Sequence, residues 1–143
     1  SDVYKRQVLF RYPDLYSAAM AVAPVTHEKY YDTAYQERYM GLPQENAEAY
    51  DESAPLTYAD QLEGDLLIVH GTADDNVHFQ NTEALIDELI AAGKQFDVMI
   101  YPNRSHGIYE GEGTRRHLYT LLTEYLREHL PPGPRRPGAP TTE

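Results

Sequence analysis

The chain has 143 residues, a length typical of one compact domain, and 41% of them are hydrophobic. It has no stretch of about 18 consecutive apolar residues, which excludes a membrane-spanning helix. Its 23 Asp and Glu against 12 Lys and Arg give a net charge of −11, which opposes general binding to nucleic-acid phosphates. Because cysteine is absent, disulfides, a thiol nucleophile and cysteine-based metal sites are excluded.

The two ends of the chain differ in composition from the middle. Residues 1–7 (SDVYKRQ) resemble the translation of a sequencing-library adaptor, and the alternative is an ordinary polar N-terminus. On the adaptor interpretation, the sequence is a gene fragment, of metagenomic type, whose true start lies upstream. Residues 131–143 are rich in Pro and Gly and are predicted to form a disordered tail. Residues 8–130 are therefore expected to form the folded part.

The first half of this folded part predicts one strand and one longer helix, with shorter helical segments before and after them. A short apolar and aromatic segment, residues 8–12, stops at a proline as the C-terminus of a helix would. Residues 18–25 are small and apolar, which favours a buried strand. Residues 28–40 carry aromatic side chains at helical spacing, and Gly41 would end that helix. Residues 44–61 are polar and irregular, with room for one short helix.

The second half alternates clearly between strands and helices. Residues 66–69 are a continuous apolar run, typical of a parallel strand covered on both faces. Residues 82–92 and 114–130 each place leucines and isoleucines or tyrosine on one helical face, and residues 96–101 alternate as a strand does. This order predicts an α/β fold with a parallel sheet and right-handed crossover helices.

Polar side chains follow two of these strands, at the edge where parallel sheets collect functional groups. Asp74 and Asp75 follow the first strand, and His106 follows the second. An Asp that orients a His acting as general base is two-thirds of a nucleophilic triad. Asp before His is the chain order of α/β-hydrolases, in which the nucleophile comes first. A carboxylate oxygen from the first loop should therefore contact a ring nitrogen of His106.

The nucleophile of such a triad is not apparent in the sequence. No serine lies in a Gly-x-Ser-x-Gly motif, and the four serines are Ser1, Ser17, Ser53 and Ser105. Ser105 adjoins His106, and neighbouring side chains seldom point at each other. A gene fragment that begins after its nucleophile would have this pattern, and it would be catalytically inert by itself.

Longer motifs make the relationship more specific. The blocks ERYMGLP (37–43), HGTADDNVHFQ (70–80) and HGI (106–108) resemble the C-terminal part of the α/β-hydrolase domain in the dipeptidyl peptidase IV group. That group belongs to the prolyl oligopeptidase family of serine peptidases. The resemblance covers residues 8–130 and implies a C-terminal fragment of an exopeptidase that releases N-terminal X-Pro or X-Ala dipeptides. It implies no cofactor and no metal.

The resemblance also implies roles for individual residues. Asp74 and His106 match the triad residues, and only the resemblance selects Asp74 over Asp75. Asn76 matches a residue that hydrogen-bonds the substrate backbone. A small pocket for proline or alanine would be formed by Val25, Tyr31, Tyr35 and Val77. Flat tyrosine faces suit a pyrrolidine ring, and a shallow pocket rejects larger side chains.

One position departs from this pattern, and some roles have simpler structural alternatives. Glu28 stands where the family usually has Trp, which would place a carboxylate at the pocket rim. Asp74 could cap the following turn, His106 could be an ordinary loop residue, and the tyrosines could be core residues. A metal site that includes His70 and His78 is disfavoured, because His70 precedes the loop and no His-Glu-x-x-His pair occurs.

Alternative functions stay open at this point. One is a family relative with another specificity, such as an oligopeptidase, a tripeptidyl peptidase or an acylaminoacyl peptidase. Another is a non-catalytic module that kept the fold, although the retention of both Asp74 and His106 argues against it. The sequence alone leaves compartment and oligomeric state undetermined. The resemblance implies a periplasmic or secreted homodimer for the full-length parent, because family members are often exported dimers.

Overall fold

The computed structural model describes Phe10, Tyr12 and residues 16–130. The adaptor-like residues 1–7 and the Pro/Gly-rich residues 131–143 lie outside the described residues, as does most of the segment 8–12. Across the described residues, every helix is too short or too polar to traverse a bilayer.

Within the described residues, three parallel strands form the sheet, in the order β1-β2-β3. They are β1 (Ala18–Val22), β2 (Asp65–Gly71) and β3 (Asp97–Tyr101). In the register, Ala18 pairs with Asp65 and Leu67 pairs with Asp97. The predicted parallel α/β arrangement is confirmed. The carboxyl ends of β2 and β3, which the polar loops follow, lie side by side.

Between residues 16 and 130, four α-helices and two short 3₁₀ helices connect or follow the strands. The 3₁₀ helices are Glu28–Tyr30 and Pro55–Gln61, and the α-helices are α1 (Thr33–Met40), α2 (Ala47–Ser53), α3 (Gln80–Ala91) and α4 (Thr114–His129). The two helices at 47–53 and 55–61 occupy the stretch in which the sequence indicated only one.

The single helix predicted over residues 28–40 is divided at Asp32. The Asp32 carboxylate accepts a hydrogen bond from the backbone N–H of Ala34 at 3.1 Å, which makes Asp32 the N-cap of α1. A capping carboxylate satisfies a free amide of the first turn and takes the cap residue out of helical geometry. Gly41 ends α1 as predicted, with a left-handed φ of 73° that favours glycine.

Strand β2 carries the core on both of its faces. Leu66 and Ile68 belong to one apolar cluster, which they share with α3. Leu67 and Val69 belong to a second cluster, which they share with α4. All four are almost fully buried, as expected for a parallel strand covered by helices on both sides. This rigid central strand positions the loop that follows it.

Candidate functional site

The loops after β2 and β3 are joined by backbone hydrogen bonds. The Thr72 N–H donates to the Tyr101 carbonyl at 3.1 Å, and the Ala73 N–H donates to the Arg104 carbonyl at 3.1 Å. The Asn103 N–H donates to the Thr72 hydroxyl oxygen at 2.8 Å. These bonds continue the β2–β3 pairing beyond the sheet, so the two loops form one surface.

Gly71 permits this close approach. A Cβ atom at Gly71 would lie 2.2 Å from the Arg104 carbonyl oxygen and 2.9 Å from the Ser105 carbonyl oxygen. Real Cβ atoms do not approach backbone oxygens so closely, so only glycine fits here without displacement. The last residue of β2 therefore fixes the path of the loop that carries His106.

Asp74 and His106 meet across this surface. Oδ2 of Asp74 lies 2.8 Å from Nδ1 of His106, so the contact that the sequence predicts is present. Oδ1 accepts backbone N–H groups of Asn76 and Val77, each at 2.9 Å. The Asp74 side chain is fully buried, whereas the His106 side chain is 47% exposed. Asp75 is exposed and makes no hydrogen bond to His106.

Hydrogen bonding keeps Asp74 ionised despite its burial. Burial by itself raises the pKa of the Asp74 carboxyl, because it disfavours the charged form. The hydrogen bonds from His106 and from the Val77 and Asn76 amides outweigh that effect and bring the pKa below its ordinary value of 3.8. Asp74 therefore remains an anion and can hold the His106 imidazole by a hydrogen bond.

This lowered pKa predicts a pH dependence of stability. A carboxyl whose folded pKa is depressed adds stability that is present above its unfolded value and lost as the pH falls through the folded value. We expect the urea midpoint of the purified chain to fall from pH 6 to pH 3, and to fall less steeply in Asp74→Asn. The Asp75→Asn variant serves as control and should fall as steeply as the wild type. Equal slopes in all three proteins would contradict the prediction.

The contact with Asp74 determines which nitrogen of His106 is free. Because the carboxylate is an acceptor, Nδ1 of His106 carries the proton and donates it. Within the described part of the chain, Nε2 of His106 makes no hydrogen bond, and the side chain is half-exposed. An imidazole held in this tautomer can take a proton at Nε2 from a nucleophile that approaches from solvent.

Ser105 is occupied elsewhere. Its hydroxyl donates to Oε1 of Glu110, and its N–H donates to Oε2 at 3.2 Å. The Ser105 hydroxyl is also the main reason that the pKa of Glu110 lies below its usual value. Two residues after His106, the buried Ile108 has a left-handed φ of 47°, which is uncommon for a β-branched residue. Such strained turns occur at functional sites, where the surrounding packing maintains them.

Two of the predicted binding residues line a cavity at the loop after β2. The Tyr31 hydroxyl donates to Oδ1 of Asn76 at 3.0 Å, which joins the start of α1 to the loop after β2. Both residues line a cavity of about 440 Å³ together with Asp32, Asp75 and His78. Because its oxygen is engaged, the Asn76 amide has its N–H₂ group available as a donor.

The other three predicted pocket residues are not part of the lining of this cavity. Tyr35 is exposed and contacts Tyr31 edge to face, with ring centroids 5.9 Å apart. Val25 is half-buried, and Val77 is buried with both of its backbone polar groups hydrogen-bonded. The cavity lining does not include Val25, Tyr35 or Val77.

The expectation that Glu28 stands at the pocket rim is wrong. Glu28 is only 7% exposed, and Nε2 of Gln36 in α1 donates a hydrogen bond to its carboxylate. A long carboxylate side chain can turn inward when a buried amide donor is available to it. Glu28 therefore connects the 3₁₀ helix at residues 28–30 to α1, which carries Tyr35.

Sequence reasoning did not identify His70 as part of the site. Its imidazole is fully buried, and Nε2 lies 3.1 Å from Oδ2 of Asp74. The separation of four residues between His70 and Asp74 could have indicated this contact. A turn after β2 can bring the carboxylate of a loop residue back to the last residues of the strand. Over the described residues, no group of three or more His, Asp or Glu is arranged to hold a metal ion.

Comparison with known proteins gives a consistent family relationship. The sequence profile described as "Prolyl oligopeptidase family" matches residues 6–132. Mouse prolyl endopeptidase FAP is 42% identical over 117 residues, and a probable dipeptidyl-aminopeptidase B of Coccidioides posadasii is 47% identical over 110 residues. These matches cover 80% and 75% of this chain but only 15% and 12% of the two relatives.

A solved structure shares the fold. The crystal structure of dipeptidyl peptidase 4 from Porphyromonas gingivalis matches with a TM-score of 0.86 and 44% sequence identity. The match covers 90% of this chain and 18% of that protein. The chain thus spans less than a fifth of the relatives that it matches.

Proposed function

The chain belongs to the prolyl oligopeptidase family, and we propose that it supplies the aspartate and the histidine of a serine-peptidase triad. In this proposal Asp74 is the orienting acid and His106 is the general base. The observation that carries the proposal is the 2.8 Å hydrogen bond between Oδ2 of Asp74 and Nδ1 of His106, with no hydrogen bond to the other ring nitrogen from the described residues.

The chemistry follows from that hydrogen bond. A serine hydroxyl gives its proton to Nε2 of His106 as its oxygen attacks the peptide carbonyl carbon. The imidazolium that forms is stabilised by the buried carboxylate of Asp74 and then protonates the leaving amine. Water repeats the sequence on the acyl-enzyme and restores the serine. We propose that the serine belongs to a segment of the parent protein outside this sequence, and that the isolated chain is inactive.

We further propose that the parent releases N-terminal dipeptides that end in Pro or Ala. The cavity at the loop after β2 is lined by Tyr31 and Asn76 together with Asp32, Asp75 and His78, and Tyr35 packs against Tyr31. An aromatic wall suits a pyrrolidine ring or a methyl group, and an amide N–H suits a substrate carbonyl. The relatives named dipeptidyl peptidases support the exopeptidase specificity.

A second specificity has its own support. The mouse relative is named a prolyl endopeptidase, and it is 42% identical over 117 residues. An oligopeptidase that cleaves within chains after proline is therefore the alternative function for the parent.

The test compares free and blocked substrates on the full-length peptidase that contains this chain. Ala-Pro and Ala-Ala linked to a chromogenic amine should be cleaved, whereas Ala-Leu and N-acetyl-Ala-Pro substrates should be cleaved at least about 100-fold more slowly. The isolated chain should cleave none of them. Efficient cleavage of the acetylated substrate would favour the endopeptidase. Failure to cleave any substrate, together with no labelling by a fluorophosphonate, would refute a serine peptidase.

A further inference from the structure

His70, the penultimate residue of β2, holds a fully buried imidazole with partners at both nitrogens. Nδ1 lies 2.7 Å from the Thr82 hydroxyl oxygen in α3. Nε2 lies 3.1 Å from Oδ2 of Asp74 and 2.9 Å from the Val77 carbonyl oxygen. The residue is 0% exposed, so no water competes for these partners at its surface.

The partners of the two ring nitrogens show which nitrogen of His70 carries the proton. Nε2 faces two acceptors, the carboxylate of Asp74 and the carbonyl of Val77, so Nε2 must carry a hydrogen and donate it. Nδ1 can then accept the hydroxyl proton of Thr82. The chain of donors runs from Thr82 through His70 to Asp74, with every polar atom satisfied.

This donation completes the coordination of the Asp74 carboxylate. Oδ1 is held by the two backbone amides of Asn76 and Val77. Oδ2 receives Nδ1–H of His106 on one side and Nε2–H of His70 on the other. Without His70, one lone pair of a fully buried anionic oxygen would lose its donor, and the oxygen could turn away from His106.

We propose that His70 is a positioning residue that holds Oδ2 of Asp74 in line with His106. The proposal rests on the triad role assigned to Asp74 and His106. A residue that only filled the core would need neither of its ring nitrogens, yet both are directed at specific partners. The two acceptors at Nε2 fix the tautomer and make His70 a donor toward the carboxylate, and the Thr82 hydroxyl can then donate to Nδ1.

The kinetic test uses two substitutions in the full-length peptidase. His70→Leu removes the donor, whereas His70→Gln keeps an N–H group near the position of Nε2. We expect His70→Leu to lower kcat by about 10- to 100-fold with KM within about two-fold, because a transition-state interaction is weakened. His70→Gln should recover most of the lost kcat. Equal kcat values for the two variants, with equal thermal stability, would reduce His70 to a packing role and overturn the proposal.

The spectroscopic test needs no peptidase activity. In this chain labelled with ¹⁵N-histidine, the nitrogen chemical shifts should place the proton on Nε2 of His70 and on Nδ1 of His106. In His70→Leu, the His106 signals should move toward the average of the two tautomers, and in His70→Gln they should not. A proton on Nδ1 of His70 would overturn the proposal, even where His70→Leu fails to fold. An inactive parent with these tautomers would instead refute the proposed function alone.

Discussion

Replacing Asp74 with asparagine in the full-length peptidase should lower kcat by about 10⁴-fold while KM changes little. The two backbone amides of Asn76 and Val77 both donate to the Oδ1 position, so the oxygen of the asparagine must remain there. Its NH₂ group is then forced to the Oδ2 position, opposite the ring of His106. An NH₂ donor at that place selects the His106 tautomer with the proton on Nε2, which cannot act as the general base.

The Asp75→Asn variant is the matched control for this experiment. Asp75 is the neighbouring acid, it is exposed, and it lines the cavity without touching His106. Its replacement should leave kcat within about three-fold, so the two variants should differ by a factor of about 10³ or more. The measurement is kcat and KM on an Ala-Pro substrate. A larger loss of kcat in Asp75→Asn than in Asp74→Asn would show that Asp75, and not Asp74, is the orienting acid.

The elements that position this pair were predictable because each follows from a local pattern. The apolar run of β2 requires cover on both faces, and the leucine faces of α3 and α4 supply it. Parallel strands bring their carboxyl ends to one edge, so Asp74 and His106 had to emerge there. The proximity of the two loops therefore follows from the topology of the sheet.

The parts that escaped prediction depend on side-chain direction in three dimensions. In the sequence, His70 has the pattern of an ordinary residue at the end of a strand. Its contact with the Asp74 carboxylate arises only because residues 72–77 turn back toward the strand. The division at Asp32 arises because a capping carboxylate competes with helix continuation. Glu28 turned inward because Gln36 offers it a buried donor. The hydrophobic periodicity of the sequence does not determine any of these three arrangements.

The choice between Asp74 and Asp75 illustrates the same limit. Two adjacent acidic residues share the same surrounding sequence pattern. Their separations from His106 along the chain differ by only one residue. The backbone turn decides between them, because the amides of Asn76 and Val77 converge on one oxygen of Asp74. A carboxylate that accepts two amides and remains buried is fixed in place, whereas the exposed Asp75 has no comparable restraint.

Substituting Gly71 with alanine is expected to destabilise the chain by about 2–4 kcal/mol, because overpacking against backbone cannot be relieved by a rotamer change. The new Cβ would lie 2.2 Å from the Arg104 carbonyl oxygen, and that carbonyl accepts the hydrogen bond of the Ala73 N–H. The loop must therefore move, and it carries His106 two residues later. Urea unfolding of the purified chain measures the loss.

Gly107→Ala is the matched control, because it adds the same methyl group to the same loop but against a side chain. Its Cβ would come within 2.4 Å of the Tyr109 ring, but that ring is 59% exposed and can rotate away. The control should cost about 1 kcal/mol or less. If both variants unfolded at the same urea concentration, the approach of β2 to the His106 loop would not be a constraint. A selective loss in Gly71→Ala, with kcat of the folded full-length variant also reduced, would show that one backbone contact couples fold stability to the alignment of His106 with Asp74.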